Sequence, residues 1–156
     1  MEIDFDTPKP ILIAGPTASG KSALGIKLAQ KYNGVIINAD ALQIYRQWQV
    51  LTARPDESET SLCPHWMYGH IDVGTPYSAG HWLNEVKQRL KQAKEQGLRP
   101  IILGGTGLYF QMLSNGMADV PEIDQAVKDQ ADQIEVTAGR HEFARLMADL
   151  DPETLS

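Results

Sequence analysis

Eight residues near the start of the chain, Gly15-Pro-Thr-Ala-Ser-Gly-Lys-Ser22, restrict its fold more than any other stretch. They fit G-x-x-x-x-G-K-[ST], the pattern of a loop that cradles phosphates. The apolar run Ile11–Ala14 before them reads as a buried strand, and Lys21–Tyr32 after them reads as a helix. In that setting Gly15 and Gly20 let the backbone curl around Pro16, Thr17, Ala18 and Ser19 so that successive N–H groups face inward. Those donors and the helix N-terminus make an anion site. Lys21 adds a point charge for phosphate oxygens. Ser22 can hold a magnesium ion (Mg2+) that bridges them. The loop specifies a diphosphate or triphosphate, with a nucleotide such as ATP as the default, and leaves open what carries it.

The next segments build outward from that unit. Pro10–Ala14 is apolar on both faces, which predicts a strand at the centre of a parallel sheet covered by helices. In the following helix Leu24, Leu28 and Ala29 recur at helical spacing. Asn33-Gly34 is a stop signal, since both residues tolerate the left-handed conformation. Val35–Ala39 reads as the second strand, and so compact a strand, helix, strand order implies a right-handed parallel crossover. Asp40 then falls at the carboxyl end of a strand, where open α/β sheets bind ligands. Asp40 and the phosphate loop are therefore expected to line one crevice. A turn or cap role for Asp40 is the plainer alternative.

Further along, Ala41–Trp48 reads as short helix or irregular chain with Leu42 and Tyr45 inward, and Val50–Ala53 as a brief strand. Asp56–Cys63 reads as a polar loop, and Trp66–Val73 as a strand interrupted by Gly69. Ser78 is an N-cap candidate for a helix over Ala79–Gln96, with an apolar face of Trp82, Val86, Leu90 and Ala93 and a basic face of Lys87, Arg89, Lys91 and Lys94. Gly97 ends it. Pro100–Leu103 is the next parallel strand. Gly104-Gly-Thr-Gly-Leu-Tyr109 follows directly as a second glycine-rich loop and leads into a helix through Leu113. Two such loops on one sheet edge suggest two substrates meeting there. Beyond Gly116 the chain turns acidic. Ile123, Val127 and Ile134 mark one helix stripe, Phe143, Met147 and Leu150 a second, and Gly139 separates them.

The expected organisation is thus an α/β core over residues 1–117 and the start of a helical subdomain over 118–156. Charge follows the same division. Of the 20 acids and 14 bases in the chain, residues 119–156 hold ten acids and three bases, leaving a net +1 for residues 1–118. The whole-chain charge of −6 is therefore a poor guide to whether the phosphate-binding part meets nucleic acid. The basic helix face is solvated surface or a nucleic-acid contact. The single cysteine, Cys63, excludes an internal disulfide framework and suits a reducing cytoplasm. Met1–Asp6 lacks the build of a signal peptide, and no apolar run is long enough to span a membrane. Four scattered histidines form no zinc pattern, and no G-x-S-x-G elbow supports a serine hydrolase. From spacing alone, the phosphate loop, Asp40 and the second glycine-rich loop describe a phosphoryl-binding core, with a small-molecule kinase as the default.

Resemblance narrows this. Gly15–Ser22 resembles the phosphate loop of the tRNA dimethylallyltransferases (tRNA isopentenyltransferases, the IPP transferase family). Asn38-Ala-Asp-Ala-Leu-Gln-Ile-Tyr45 resembles their Asp-Ser-x-Gln-x-Tyr motif, and Thr52-Ala-Arg-Pro55 their Thr-Ala-Lys/Arg-Pro motif. Pro64-His65 with Ile71-Asp72, then Tyr77-Ser-Ala79, Leu103–Tyr109 and Leu150–Glu153 are similar to further family segments in the same order. The resemblance implies a P-loop NTPase-like parallel sheet flanked by helices. It also implies transfer of a dimethylallyl group from dimethylallyl diphosphate to the exocyclic amine of the adenosine beside the tRNA anticodon. The loop Gly15–Ser22 would then hold the diphosphate leaving group, with Thr17, Lys21 and Ser22 positioning diphosphate and Mg2+. Asp40 would accept the amine proton, and Gln43, Thr106 and Arg54 would belong to the adenine and tRNA side.

Position 41 is Ala where the family usually has Ser, so one hydroxyl of the base-recognition motif is missing. Family members also continue past the counterpart of Ser156 into the rest of the helical insert and an Arg-x-x-Arg segment that helps clamp the diphosphate. The chain is therefore expected to be an N-terminal portion, with weak or absent catalysis by itself. A cytoplasmic monomer is expected. The alternatives are an adenylate isopentenyltransferase using free AMP, ADP or ATP, a small-molecule kinase, and a binding fragment without catalysis.

Overall fold

The computed structural model describes residues 9–116 and 123–151. They belong to two compact units, Met1–Met117 and Ala118–Ser156.

In the first unit, β1 (Ile11–Ala14), α1 (Lys21–Lys31), β2 (Gly34–Asn38), α2 (Glu57–Thr60), β3 (His65–Trp66), α3 (Ala79–Glu95), β4 (Arg99–Gly104) and α4 (Gly107–Asn115) follow in chain order. The strands form one sheet in the order β1-β4-β2-β3, every pairing parallel. This is the α/β class expected. Val35, Ile36, Ile37, Ile101 and Ile102 are essentially inaccessible to solvent, as a sheet covered on both faces requires. One face carries Ile37, Ala39 and Ile102 against Trp82, Val86, Tyr109 and Met112 of α3 and α4. The other carries Ile36, Ile101 and Leu103 against Ile26 and Ala29 of α1. Each such aliphatic side chain contributes about 1.5–3 kcal/mol on burial.

Two register facts position the site. Ala14 pairs with Gly104 and Asn38 with Leu103. The carboxyl ends of β1, β2 and β4 therefore lie level, and the segments after them emerge together along one edge.

Several local expectations are corrected. β1 lies at the margin of the described sheet, and Leu12 is about half exposed. The buried stripe of α1 is Gly25, Ile26 and Ala29, while Leu24 faces solvent. The reason is close packing: a Cβ on Gly25 would stand 2.5 Å from Leu103 Cδ1, so the helix lies on the sheet through its smallest residue. In the 41–48 segment Ile44 is the buried residue, Leu42 is exposed and Tyr45 is half-buried. Residues 50–53 form a turn that leaves Val50 and Leu51 exposed. The strand expected over 66–73 is only His65–Trp66, followed by an isolated bridge between Tyr45 and Ile71. The polar loop over 56–63 contains the short helix α2, whose N-cap Asp56 accepts from Glu59 N while the Glu59 side chain accepts from Asp56 N.

Other signals hold. Asn33 (φ 50°) and Gly97 (φ 65°) are left-handed where helices end. Ser78 caps α3 in a reciprocal box with His81.

The second unit contains α5 (Gln125–Ala138) and α6 (Arg140–Leu150), broken at Gly139 (φ 80°). Neither helix buries a residue, and Val127 and Leu150 of the expected stripes are exposed. The Leu150–Glu153 match extends past the described residues. Among the described residues no helix is long and apolar enough to cross a membrane.

Candidate functional site

β1 ends at Ala14, and the chain leaves it through a loop with almost no side-chain support. Gly15 N donates to Gly104 O at 3.3 Å, fastening the loop's first residue to β4. Ser19 N donates to Pro16 O at 3.4 Å. Ala18 (φ 62°) and Gly20 (φ 81°) are both left-handed, a pair of reversals that turns the backbone into α1. Gly20 is the N-cap of α1 and supplies no side-chain cap. The first N–H groups of the helix therefore face the loop without a capping oxygen. Residues 16–20 and Ser22 are exposed, and Lys21 Nζ reaches back to Pro16 O at 3.1 Å. Free backbone donors, a helix N-terminus and one ammonium directed back over the loop are the ingredients of an anion cradle.

The end of β2 is built the opposite way. Asn38 is completely buried and is the one polar residue in that class among the described residues. Its Nδ2 donates to Asp40 O (3.0 Å) and Met67 O (3.1 Å), its Oδ1 accepts from Asp40 N (2.9 Å), and its backbone carbonyl accepts from Trp82 Nε1 (2.9 Å). The Trp82 indole stacks on the Tyr109 ring at 4.0 Å, nearly parallel. Ala39 N donates to Leu103 O (2.8 Å) and Thr106 N to Ala39 O (3.2 Å). Thr106 Oγ1 then accepts from Ala41 N (2.9 Å). Asp40 is clamped from both sides, and its Oδ1 accepts from Leu42 N (3.0 Å). Ala41 thus uses its backbone N–H to meet Thr106.

Gly105 joins the two halves. A Cβ at that position would lie 3.5 Å from Asp40 Oδ2 and 3.5 Å from Gly15 O. The Asp40 carboxylate and the start of the phosphate loop therefore flank one glycine of the second glycine-rich loop. Asp40, Gly15–Ser22 and Thr106 are brought together as the sequence implied. Nearby charge also acts on the tyrosines: burial first, and then the Asp40 carboxylate, push Tyr68 well above the usual phenol range.

Gln43 and Arg54 have a different setting. Gln43 Nε2 donates to Thr52 O (2.9 Å) and Ala53 O (3.1 Å), so its amide donors are engaged by the 48–54 turn. The Arg54 guanidinium donates to Tyr45 O (3.0 Å), Arg46 O (3.2 Å) and Gln49 Oε1 (3.3 Å). Both organise the turn after Asp40. Sequence reasoning missed Asn38 and Trp82 as supports of Asp40. The available signal was a lone Asn closing an otherwise apolar strand.

No group of three or more His, Cys, Asp or Glu side chains among the described residues makes a metal cage. The exposed hydroxyl of Ser22 at the start of α1 is the group that would be offered to an Mg2+ carried by a diphosphate.

A family model described as IPP transferase matches residues 43–156. The chain belongs to the IPP transferase family. It is 50% identical over 149 residues to a tRNA dimethylallyltransferase of Dinoroseobacter shibae, covering 94% of this chain and 47% of the relative. It is 51% identical over 155 residues to one of a Ruegeria species, covering 99% and 50%. The chain thus spans about half the length of the curated relatives it matches. Among solved structures, a tRNA isopentenylpyrophosphate transferase of Bacillus halodurans superposes with a TM-score of 0.69 at 25% identity, covering 96% of this chain and 50% of that one. The corresponding Staphylococcus epidermidis enzyme gives 0.66 at 32%, covering 96% and 49%. These IPP transferases share the parallel sheet with its flanking helices.

Proposed function

We propose that the polypeptide transfers a dimethylallyl group from dimethylallyl diphosphate to the exocyclic amine of an adenosine in the anticodon loop of tRNA. The observation that carries this reading is the placement of the Asp40 carboxylate and the phosphate loop on either side of Gly105. A group-transfer enzyme needs its leaving-group site and its proton acceptor at one point, and the closeness of Asp40 and Gly15 to Gly105 supports that reading.

The backbone N–H groups of Gly15–Ser22 and the Lys21 ammonium receive the diphosphate. They act most strongly as the carbon–oxygen bond breaks and negative charge gathers on the leaving oxygen. The Ser22 hydroxyl would hold Mg2+, which would supply further neutralisation of that charge. Asp40 accepts the proton released as the amine nitrogen bonds to the allylic carbon. Oδ1 is held by Leu42 N, and Oδ2 lies toward Gly105 and Gly15 as the accepting atom. An exocyclic amine is a weak nucleophile, so a placed carboxylate contributes about 10²–10⁴-fold. The adenosine must leave its stack to reach the site. The same reading makes residues 118–156 part of the RNA-gripping region and the protein a cytoplasmic monomer. The relatives' names and the single cysteine support it.

The test uses the full-length natural polypeptide with labelled dimethylallyl diphosphate, offered an anticodon stem-loop and AMP in competition. Label on the adenosine of the stem-loop is expected. Label on AMP redirects the reading to a free-nucleotide enzyme, and ATP consumption with a hydroxyl acceptor to a kinase. Asp40→Asn is expected to lower transfer by about 10²–10⁴-fold while calorimetry with dimethylallyl diphosphate stays close to wild type. Near-normal turnover in that variant removes Asp40 as the base.

A further inference from the structure

One side-chain cluster lies outside the machinery described so far. Glu85, on α3, is a hub. Its Oε2 accepts from Tyr77 OH (2.8 Å) and meets His70 Nε2 (2.8 Å), and its Oε1 faces Arg89 Nη2 at 3.4 Å. His70 Nδ1 is buried without a partner, so the bond to Glu85 is the polar tie of that ring. The Tyr77 ring packs edge-on against it. Burial works to raise the Glu85 carboxyl, but the hydrogen bonds from Tyr77 and His70 and the charges of His70 and Arg89 more than offset it and hold the group below the usual carboxylate range.

The backbone around His70 shows what the hub holds. Gly69 N donates to Gln43 O (3.0 Å), Ile71 N to Ile44 O (3.1 Å), and Arg46 N to Ile71 O (2.8 Å). Gly69 is left-handed (φ 55°), and a Cβ there would displace the Arg54 guanidinium. Beyond it, Gln47 bonds Asp72 and Val73 through its side chain. Residues 43–47 are thus stitched to residues 69–73, and His70 is the point where that double strand is fastened to α3. One helical turn separates Glu85 from Trp82, whose indole holds the strand end that carries Asp40. α3 therefore holds the Asp40 corner through Trp82 and, through His70, the 69–73 backbone to which residues 43–47 are bonded.

We propose that Glu85 and His70 are positioning residues that set the Gln43–Arg54 segment against Asp40, and so control engagement of the acceptor base without touching it. The inference rests on the reading that this segment meets the acceptor.

Two measurements on the full-length natural polypeptide test it. In Glu85→Ala, amide hydrogen exchange at Arg46, Gly69 and Ile71 is expected to speed up by about tenfold or more, the scale of losing charge-assisted hydrogen bonds. Amides of Ile36 and Ile102 stay at wild-type rates. The KM for an anticodon stem-loop rises by a similar factor, while affinity for dimethylallyl diphosphate is unchanged. Glu85→Gln keeps an acceptor oxygen for Tyr77 and His70 and recovers most of both effects. Wild-type exchange at the three amides overturns the proposal. So does acceleration throughout the core, or an equal loss of diphosphate and acceptor affinity. If the wild-type protein modifies no RNA, the functional reading fails, and the exchange data alone decide whether the hub holds the segment.

Discussion

Around Gly15–Ser22 the backbone is exposed from Pro16 to Gly20, and its internal bonds are few, 3.4 Å from Ser19 N and 3.1 Å from Lys21 Nζ, both to Pro16 O. Around Asn38–Asp40 the chain is buried up to Ala39, and the bonds that fix it run from 2.8 to 3.2 Å. The difference follows from what each part has to do. An anion cradle works only if its N–H groups are not already used, so the fold shapes it by dihedral angle and by attachment at its ends. On the proposed reading Asp40 accepts a proton from one atom and needs a fixed direction, which its hydrogen-bond partners would give it. The loop is thus exposed, whereas the Asp40 corner is held by its own hydrogen bonds.

The largest effect expected from this contrast is at Gly104. A Cβ there would fall 2.1 Å from both the carbonyl carbon and the oxygen of Ala39, which are backbone atoms and cannot swing away. Gly104→Ala must push β4 from the end of β2 and open the Ala39 N to Leu103 O bond. A destabilisation of about 3 kcal/mol or more is expected, at the upper end of overpacking, read as a lower urea midpoint. A midpoint close to wild type would mean that the corner yields easily, and the contrast with the cradle would vanish.

Next is Asn38→Leu, which keeps volume and removes every polar atom of the side chain. Met67 O loses its partner in a buried site, and Asp40 N and O lose theirs in a part-buried one. Buried groups left unpaired cost about 1–3 kcal/mol each when water cannot reach them, so a total loss of about 2–4 kcal/mol is expected. Because the cradle is fastened to β4 and not to Asn38, affinity for dimethylallyl diphosphate should stay near the wild-type value in calorimetry while transfer falls. Loss of diphosphate affinity in a folded variant would show the two parts to be coupled.

How much of this was legible in the sequence follows the same division. The cradle was readable because its pattern is local: glycines, lysine and serine at fixed spacing after an apolar run need no distant contact to be interpreted. The sheet was readable for a related reason, since Val35–Ala39 and Pro100–Leu103 are too apolar to be anything but covered strands. The Asp40 corner was legible only in part. Asp40 could be placed at a strand end, but Asn38 and Trp82 act across 44 residues of sequence, and no spacing rule reports that. Residues 41–48 are irregular, as one of the two readings had it, but the inward Leu42 and the 50–53 strand fail, because the order of this segment comes from Arg54, Gln43 and the 69–73 backbone and not from periodicity. Val50–Ala53, expected as a brief strand, is a turn. In α1, Leu24 looked like a core residue by helical spacing, yet the closest approach goes through Gly25.

The smallest expected effect belongs to Gly20, and it separates space from conformation. At Gly104 a methyl group has no room; at Gly20 it meets nothing within 4 Å, but the residue sits at φ 81°. Gly20→Ala therefore bears only the left-handed penalty of an L-residue, about 1–2 kcal/mol. The open loop can relieve part of that by turning back toward the right-handed region. Relief would rotate the Lys21 and Ser22 N–H groups away from the cradle. The expected outcome is a urea midpoint lowered by no more than about 1 kcal/mol of stability, together with a clear drop in affinity for dimethylallyl diphosphate. A variant that loses stability and keeps its affinity would show that the loop holds its shape against strain. The cradle would then be as rigid as the Asp40 corner, and the distinction between a ligand-shaped wall and a prebuilt one would fail.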